Sequence, residues 1–328
     1  MTDPQPLIAD IRTRFGRVVT DVRVLPQGWL NVKWRMDSAE GPMFVKSYHP
    51  ERYKLHAKPD RRRAIARTLE LQHGLHAAGV PCPGVYRHRE AYLHETPCGM
   101  IYNAMDWTEG QSVVAGSMSE AQCRSLGAAT GRMHRWLRSR ALPNKPVWTP
   151  DPSAYWLGWT ANREAAERAG DELALQWIER SGRIVSSLDF ACFEDCPSGW
   201  LHWDLWADNL LVDGDRLSGI VDFDRMAAAY PEIDVARALL SVGLQDGGLR
   251  ANAARAFLAA YRATAGPDAP RLVVSRALRL LYVIESLWWL RTEVRREGEL
   301  RSLLRRFVDE LHWIEDNWEA IPDQVDGL

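Results

Sequence analysis

The sequence predicts an α+β chain in two lobes, a β-rich N-terminal lobe followed by a mainly α-helical C-terminal lobe. Three observations carry this reading. The chain has 328 residues, enough for roughly two domains at about 150 residues each. Its early segments RVVTDVRVL, WLNVKWRM and PMFVKSY are β-prone and are separated by Gly28 and by the Asp37 to Pro42 turn cluster, the pattern of antiparallel hairpins. From Ser119 onward apolar residues recur at helical spacing, without the strand–helix alternation that a parallel sheet requires.

A short amphipathic helix precedes the hairpins. Asp60 to Ala78 then reads as a long helix with Ile65 and Leu69 on one face, stopped by Gly79 and Pro81. Two more strands are predicted around Val85 to Leu93 and Cys98 to Met105, so residues 1–105 form a sheet with one long helix. Helical period marks Ser119 to Ser139, Asp171 to Leu188, Ile233 to Val242, Ala251 to Ala263, Arg271 to Arg296 and Ser302 to Ala320, interrupted only by a hairpin near 209–224. The predicted division is a first lobe over 1–105, a linker over 106–110 and a second lobe over 111–328.

Composition narrows the function classes. Hydrophobic residues at 46% and charged residues at 26% belong to folded globular chains rather than disordered ones. The most apolar stretch, Leu278 to Leu290, contains Arg279 and Glu285 and is too short to span a bilayer. The N-terminus lacks a cationic start followed by an apolar run, so a cytoplasmic protein without a membrane partner is expected. Five cysteines without a Cys-x-x-Cys pair argue against a disulfide scaffold or zinc ribbon. A net charge of −2 argues against nucleic-acid binding by bulk electrostatics. Residues 1–105 are nonetheless cationic on balance and residues 281–328 acidic, as suits a polyanionic and a cationic ligand, or simply solvated helix faces.

The informative segment is Trp200 to Asp224, WLHWDLWADNLLVDGDRLSGIVDFD. It holds His202-x-Asp204-x-x-x-x-Asn209, a strand from Leu210 to Val212, a turn at Asp213-Gly214-Asp215, a strand from Leu217 to Val221, and Asp222-Phe223-Asp224. An Asp-Gly turn folds the strands back on each other and brings Asn209 and Asp222 to one end of the hairpin. Hard oxygen donors of this kind suit Mg²⁺, which keeps several waters and shares substrate phosphates. Phosphoryl transfer asks for such parts, namely an Asp that accepts a proton from an attacking hydroxyl and an Asn and an Asp that hold metal. Each residue alone also suits a cap or a turn.

With these residues the sequence resembles the aminoglycoside phosphotransferase and choline kinase family of protein-kinase-like small-molecule kinases, over most of the chain and most specifically between His202 and Asp234. The resemblance implies a bilobal protein-kinase-like fold, ATP and Mg²⁺ as cofactors, and a small-molecule hydroxyl acceptor. It implies Asp204 as catalytic base, His202 as organiser of its loop, and Asn209 and Asp222 as metal ligands. Asp234, in YPEIDVARALL, matches the Asp that supports this loop from the following helix, although a helix N-terminal charge reads the same. Lys46, on a strand between apolar neighbours, is implied to contact ATP phosphates, against the alternative of a solvated edge lysine. Glu70 is implied to pair with Lys46, against a surface charge. In MIYNAMDWTEG the resemblance places adenine against the Asp106 carbonyl and the Thr108 N–H, with Met105 behind it. The expected glycine-rich phosphate loop is represented by Gly28 alone, beside Trp29 and Leu30, and Trp203 stands between His202 and Asp204 where a small residue is common.

Tryptophan is abundant, 15 in all, and most are assigned to the core. Trp288 and Trp289, with Glu285 and Glu293, suggest an acidic and aromatic wall for an amine-bearing alcohol, or a helix packed by its tryptophans. Three functions remain open from the sequence: a kinase for a small hydroxylated metabolite or antibiotic, a bacterial Ser/Thr protein kinase of the same superfamily, and a catalytically silent nucleotide-binding protein.

Overall fold

The computed structural model describes residues 3–26, 31–290 and 300–328, with side chains in the last segment from residue 305. In chain order the first elements are α1 (Gln5–Phe15), β1 (Val19–Leu25), β2 (Asn31–Ser38), β3 (Met43–Tyr48), α2 (Pro50–Tyr53), α3 (Pro59–Ala77), β4 (His94–Glu95), β5 (Ile101–Asp106) and β6 (Gln111–Ser112). They are followed by α4 (Glu120–Arg138), α5 (Pro152–Ala169), α6 (Glu172–Ser187), β7 (Gly199–Leu201), β8 (Leu210–Asp213), β9 (Arg216–Ile220) and β10 (Ala227–Ala229). The chain ends in α7 (Glu232–Gly243), α8 (Ala251–Ala265), α9 (Val274–Glu285), α10 (Leu300–Asp316) and α11 (Ile321–Val325). Two compact units result: Met1–Ser112 with Asn209–Met226, and Val113–Asp208 with Ala227–Leu328.

In the first unit an antiparallel sheet runs β1-β2-β3-β5-β4. Side chains alternate across it. Trp34, Met36, Met43, Val45, Tyr102 and Ala104 pack one face against Leu7 and Ile11 of α1. The other face carries Tyr48, Ile101 and Met105, which pack with Ile65 and Leu69 of α3. Lys46 follows Val45 and therefore shares the α3 face, in register with Lys33 on β2 and Asn103 on β5. A smaller sheet, β6-β8-β9, completes this unit. The stretch from Val85 to Leu93 is not a strand: it makes only the bridges Val85↔Met105 and His88↔Ala91, because the chain reverses at Arg89, whose φ is 54°.

The second unit is helical, and every residue of α7 is buried, its polar side chains Glu232, Asp234, Arg237 and Ser241 included. Helices α4 and α8 approach so closely that a Cβ on Gly127 would meet the Phe257 carbonyl oxygen, and one on Gly131 would lie 2.6 Å from the Tyr261 carbonyl oxygen. Two features escape the sequence period. Helix α5 buries only Tyr155 and Ala166, so it shows no core stripe. Strand β10 is three alanines, extended because they pair with Gly199–Leu201 of β7. The helix predicted over Arg271 to Arg296 is α9 alone, followed by a turn through residue 290; residues 291–299 lie outside the described residues.

The α4–α8 contact yields a direct test. Gly127→Ala forces backbone apart at a site with no flexible side chain to yield, and overpacking of this kind costs about 1–3 kcal/mol. Urea unfolding should show a lower midpoint with an unchanged slope.

Candidate active site

Two groups of candidate side chains stand out, one in each unit. In the first, the β8–β9 hairpin turns at Gly214, whose φ is 55°, with Asp213 opposite Arg216. The Val221 amide donates to the Asn209 carbonyl at 2.9 Å. Asn209 and Asp222 thus flank the open end of the hairpin, as the turn chemistry predicts. Asp222 has a φ of 61°, a left-handed conformation that costs a non-glycine residue on the order of 1 kcal/mol or more and persists when surrounding contacts impose it.

Those contacts are two lysines. Lys46 Nζ donates to Asp222 Oδ1 at 2.9 Å and Lys33 Nζ to Oδ2 at 3.1 Å. Lys46 is only 3% exposed, and an ammonium cannot be buried at tolerable cost without partners. It has a second one in Asp224, 3.0 Å away, whose carboxylate also accepts from the hydroxyls of Tyr48 and Tyr53 at 3.2 and 3.0 Å. The Asn103 amide in turn donates to the Tyr48 hydroxyl at 2.8 Å. Burial alone raises the Asp222 carboxyl pKa, but the ammonium groups of Lys46 and Lys33 outweigh it and hold it well below the ordinary carboxylate range. Burial would likewise lower Lys46, yet Asp222 and Asp224 prevail and push it up, so the amine stays charged.

Glu70 does not join this group. It is exposed and pairs with Arg67 at 2.8 Å. The phase of α3 explains the departure: Ile65, Thr68, Leu69 and Gln72 turn inward, and Glu70, about 100° past Leu69 around the axis, turns out. Thr68, on the inner face, gives its hydroxyl to the Ala64 carbonyl at 3.0 Å. Of the residues expected around adenine, Met105 is buried, with its sulfur 3.6 Å from the Gln72 amide nitrogen. The Asp106 N–H donates to the Gly84 carbonyl at 2.9 Å. Thr108 lies so close over Gly219 that a Cβ there would be 2.6 Å from the threonine methyl. Gly28, Trp29 and Leu30 lie outside the described residues.

The second group centres on Asp234, fully buried at the start of α7. Its Oδ2 accepts from the His202 N–H at 2.7 Å and its Oδ1 from the Trp203 N–H at 2.8 Å. His134 of α4 adds its Nε2 at 3.1 Å from Oδ2, while its Nδ1 lies 3.1 Å from the Tyr261 hydroxyl. About two turns along α7, the Ser241 hydroxyl accepts from the Ala207 N–H at 2.8 Å. One helix face therefore holds the loop from His202 to Ala207 at both ends. The clamp imposes strain, since Trp203 has a φ of 68°, outside the comfortable range of a bulky residue. Next to it, the backbone N–H of the half-buried Asp204 donates to Nδ1 of the buried His202 at 3.2 Å.

The proposed acidic and aromatic wall is not present in that form. Glu285 is 5% exposed and pairs with Arg237, whose guanidinium lies 4.4 Å over the Trp206 ring. Trp289 is fully buried against Trp177, Trp288 packs on Phe307, and Glu293 lies outside the described residues. Below them burial pushes the Glu310 carboxyl up to about 8, against the opposing pull of Arg237 and Arg306. A charge confined in the core needs a partner, and Arg237 is that partner for Glu285.

Sequence reasoning missed Lys33, Asp224, Tyr48 and Tyr53, and it missed His134 and Ser241. Asp224 had a signal, standing two residues after Asp222. Lys33 becomes conspicuous only when the β2–β3 register sets it opposite Lys46. His134 and Ser241 carry no signal beyond being polar on apolar helix faces.

A family model described as the phosphotransferase enzyme family matches residues 21–272. The chain belongs to this family. A homoserine kinase of Methylobacterium nodulans is 30% identical over 211 residues, which cover 64% of this chain and 63% of that protein. A homoserine kinase of Rhodopseudomonas palustris strain BisA53 is 30% identical over 245 residues, covering 74% of this chain and 68% of its own. Among solved structures, an amicoumacin kinase shares the fold with a TM-score of 0.61 at 14% identity, covering 96% of this chain and 94% of its own. A choline kinase from Cryptosporidium parvum Iowa II does so with a TM-score of 0.60 at 12% identity, covering 98% of each chain. The fold of this phosphotransferase is thus the α+β, protein-kinase-like fold. Among the described residues no helix is long and apolar enough to cross a membrane.

The clamp on the loop predicts the behaviour of Asp234→Asn in this phosphotransferase. The amide offers one acceptor where the carboxylate offers two, so at least one buried N–H of His202 or Trp203 loses its partner, at about 1–3 kcal/mol. Thermal unfolding should shift down, and turnover should fall more than nucleotide affinity. An unchanged melting temperature together with unchanged turnover would remove the clamp from the account.

Proposed function

We propose that the protein is an ATP- and Mg²⁺-dependent kinase that moves the γ-phosphate of ATP to a hydroxyl of a small molecule, with an amino alcohol of the homoserine type as the first acceptor to test. The observation that supports it best is the buried Lys46, charge-paired with Asp222 at the Asn209 end of the hairpin, in a chain whose family transfers phosphoryl groups. In this reading Lys46 meets the phosphates, and the backbone of Asp106 and Thr108, in front of Met105, meets adenine. Asp204 takes the proton of the attacking hydroxyl, and His202 orients it. The choice of acceptor leans on relatives named homoserine kinase.

Asn209 and Asp222 would hold the metal. Among the described residues no group of three or more His, Cys, Asp or Glu side chains is placed to bind an ion. One ionised carboxylate and one amide oxygen fit Mg²⁺ nonetheless, because this ion retains waters and takes further oxygens from phosphate. When bound, it neutralises charge that develops on the transferred phosphoryl group.

ADP release with Mg·ATP should be measured against homoserine, choline, aminoglycosides, macrolides and protein acceptors. Turnover of homoserine or a related amino alcohol is the expected result; label on protein acceptors with none of the small molecules consumed would overturn it. Asp204→Ala should cut kcat by about 10²-fold or more while leaving ATP affinity within a few-fold, since a positioned base acts on the acceptor. Asp222→Asn should abolish the gain in ATP affinity that Mg²⁺ confers. Calorimetric titrations with and without the metal decide this, and equal gains in variant and wild type would free Asp222 of the role.

A further inference from the structure

We propose that Asp224, held by Tyr48 and Tyr53, is the residue that positions Lys46 for the nucleotide phosphates, in place of a glutamate on α3. The inference rests on the reading that Lys46 meets those phosphates. Its basis is the division of labour between two aspartates that stand two residues apart. Asp222 is 30% exposed and gives one oxygen to each of two lysines. Asp224 is 9% exposed, and both of its oxygens are engaged from within the first unit: Oδ1 by Lys46 and Tyr48, Oδ2 by Tyr53. Asp224 is thereby fixed as an anchor, while Asp222 stays open to other partners.

The surroundings support the same division. Tyr48 lies on β3 two residues beyond Lys46, on the same face, and is itself fixed by Asn103 directly across from Lys46. Tyr53 comes from α2, so two successive elements converge on one carboxylate. Burial comes first among the causes that push the Tyr53 hydroxyl pKa up, and the Asp224 carboxylate adds to it. The phenol therefore remains a proton donor to Asp224 across the physiological range. On α3, meanwhile, Glu70 spends its charge on Arg67 at the surface, and the inward Thr68 hydroxyl is committed to the Ala64 carbonyl. Lys46 receives its charge partners from the segment after β9 instead.

The test compares Mg·ATP with adenosine, by calorimetry and steady-state kinetics, on the full chain. Lys46→Met comes first: if it weakens ATP no more than adenosine, the phosphate reading of Lys46 fails and the proposal with it. Given that loss, Asp224→Asn should weaken ATP by about tenfold or more, the scale of a charged hydrogen bond, and leave adenosine within about twofold. Asp224→Glu should recover part of the loss. A merely structural role would weaken both ligands alike, which would overturn the proposal, as would wild-type ATP affinity in Asp224→Asn. Glu70→Gln supplies the competing account: a loss in ATP affinity equal to or greater than that of Asp224→Asn would return the anchor to α3. Should Asp224→Asn fail to fold, Tyr53→Phe keeps every charge and removes the hydroxyl that donates to Asp224. It should weaken ATP about threefold or more relative to adenosine, and no such preference would overturn the proposal.

Discussion

A lysine ammonium that is almost wholly inaccessible, in the middle of an antiparallel sheet, is the constraint around which the first unit is arranged. Taking a charge out of water costs several kcal/mol unless partners replace the water, and β3 buries Lys46 between Val45 and Ser47. The partners cannot come from β2, where the opposite residue is another lysine. They arrive from far along the chain: the segment after β9 brings Asp222 and Asp224 to the α3 face of the sheet. The hairpin is therefore tied to the sheet by charge as well as by its pairing with β6 and the hydrogen bond from the Ile220 amide to the Pro81 carbonyl. Two lysines and two aspartates balance one another, and the arrangement is neutral as a set.

The second unit solves a different problem with similar means. The loop that carries Asp204 contains a tryptophan in the left-handed region, which by itself favours relaxation. Stiffness comes from α7, which gives two of its polar residues, Asp234 and Ser241, to the amides of the loop. Because α7 is buried on every side, those two contacts are referred to the whole helical core. His134 extends the network to α4, and the close α4–α8 packing at Gly127 and Gly131 fixes where α4 lies. The reach from glycines in a helix crossing to the orientation of one aspartate passes through named contacts alone.

Much of this was legible in the sequence where period and turn chemistry speak directly. The hairpin strands, the long helix after them and the helices around Ser119, Asp171 and Ala251 follow from alternation, caps and breakers. The convergence of Asn209 and Asp222 follows from an Asp-Gly turn. What escaped has a physical reason in each case. Helix α5 has no buried stripe to reveal it, and β10 is three alanines extended only by pairing with β7. The sequence places Glu285 in an acidic wall for an amine-bearing alcohol because it does not show that Arg237 would reach it. The resemblance implies that Glu70 pairs with Lys46, but the inner face of α3 is held by Ile65, Leu69 and Gln72, and Glu70 is one residue out of phase with it.

That difference in phase changes what holds the lysine. A pair made with a helix ties the lysine's position to wherever that helix packs, and a surface pair such as Arg67 with Glu70 adds only about 0.2–1 kcal/mol, screened by salt. A pair made with Asp224 ties it instead to the segment that begins at Asp222, two residues away. A shift of that segment therefore displaces Lys46 and the Asp222 carboxylate together. The tyrosines resist such a shift through two elements, Tyr48 through β3 and Tyr53 through α2. Covalent proximity between Asp222 and Asp224, rather than the placement of α3, is what keeps the cationic and anionic parts of the first unit in register.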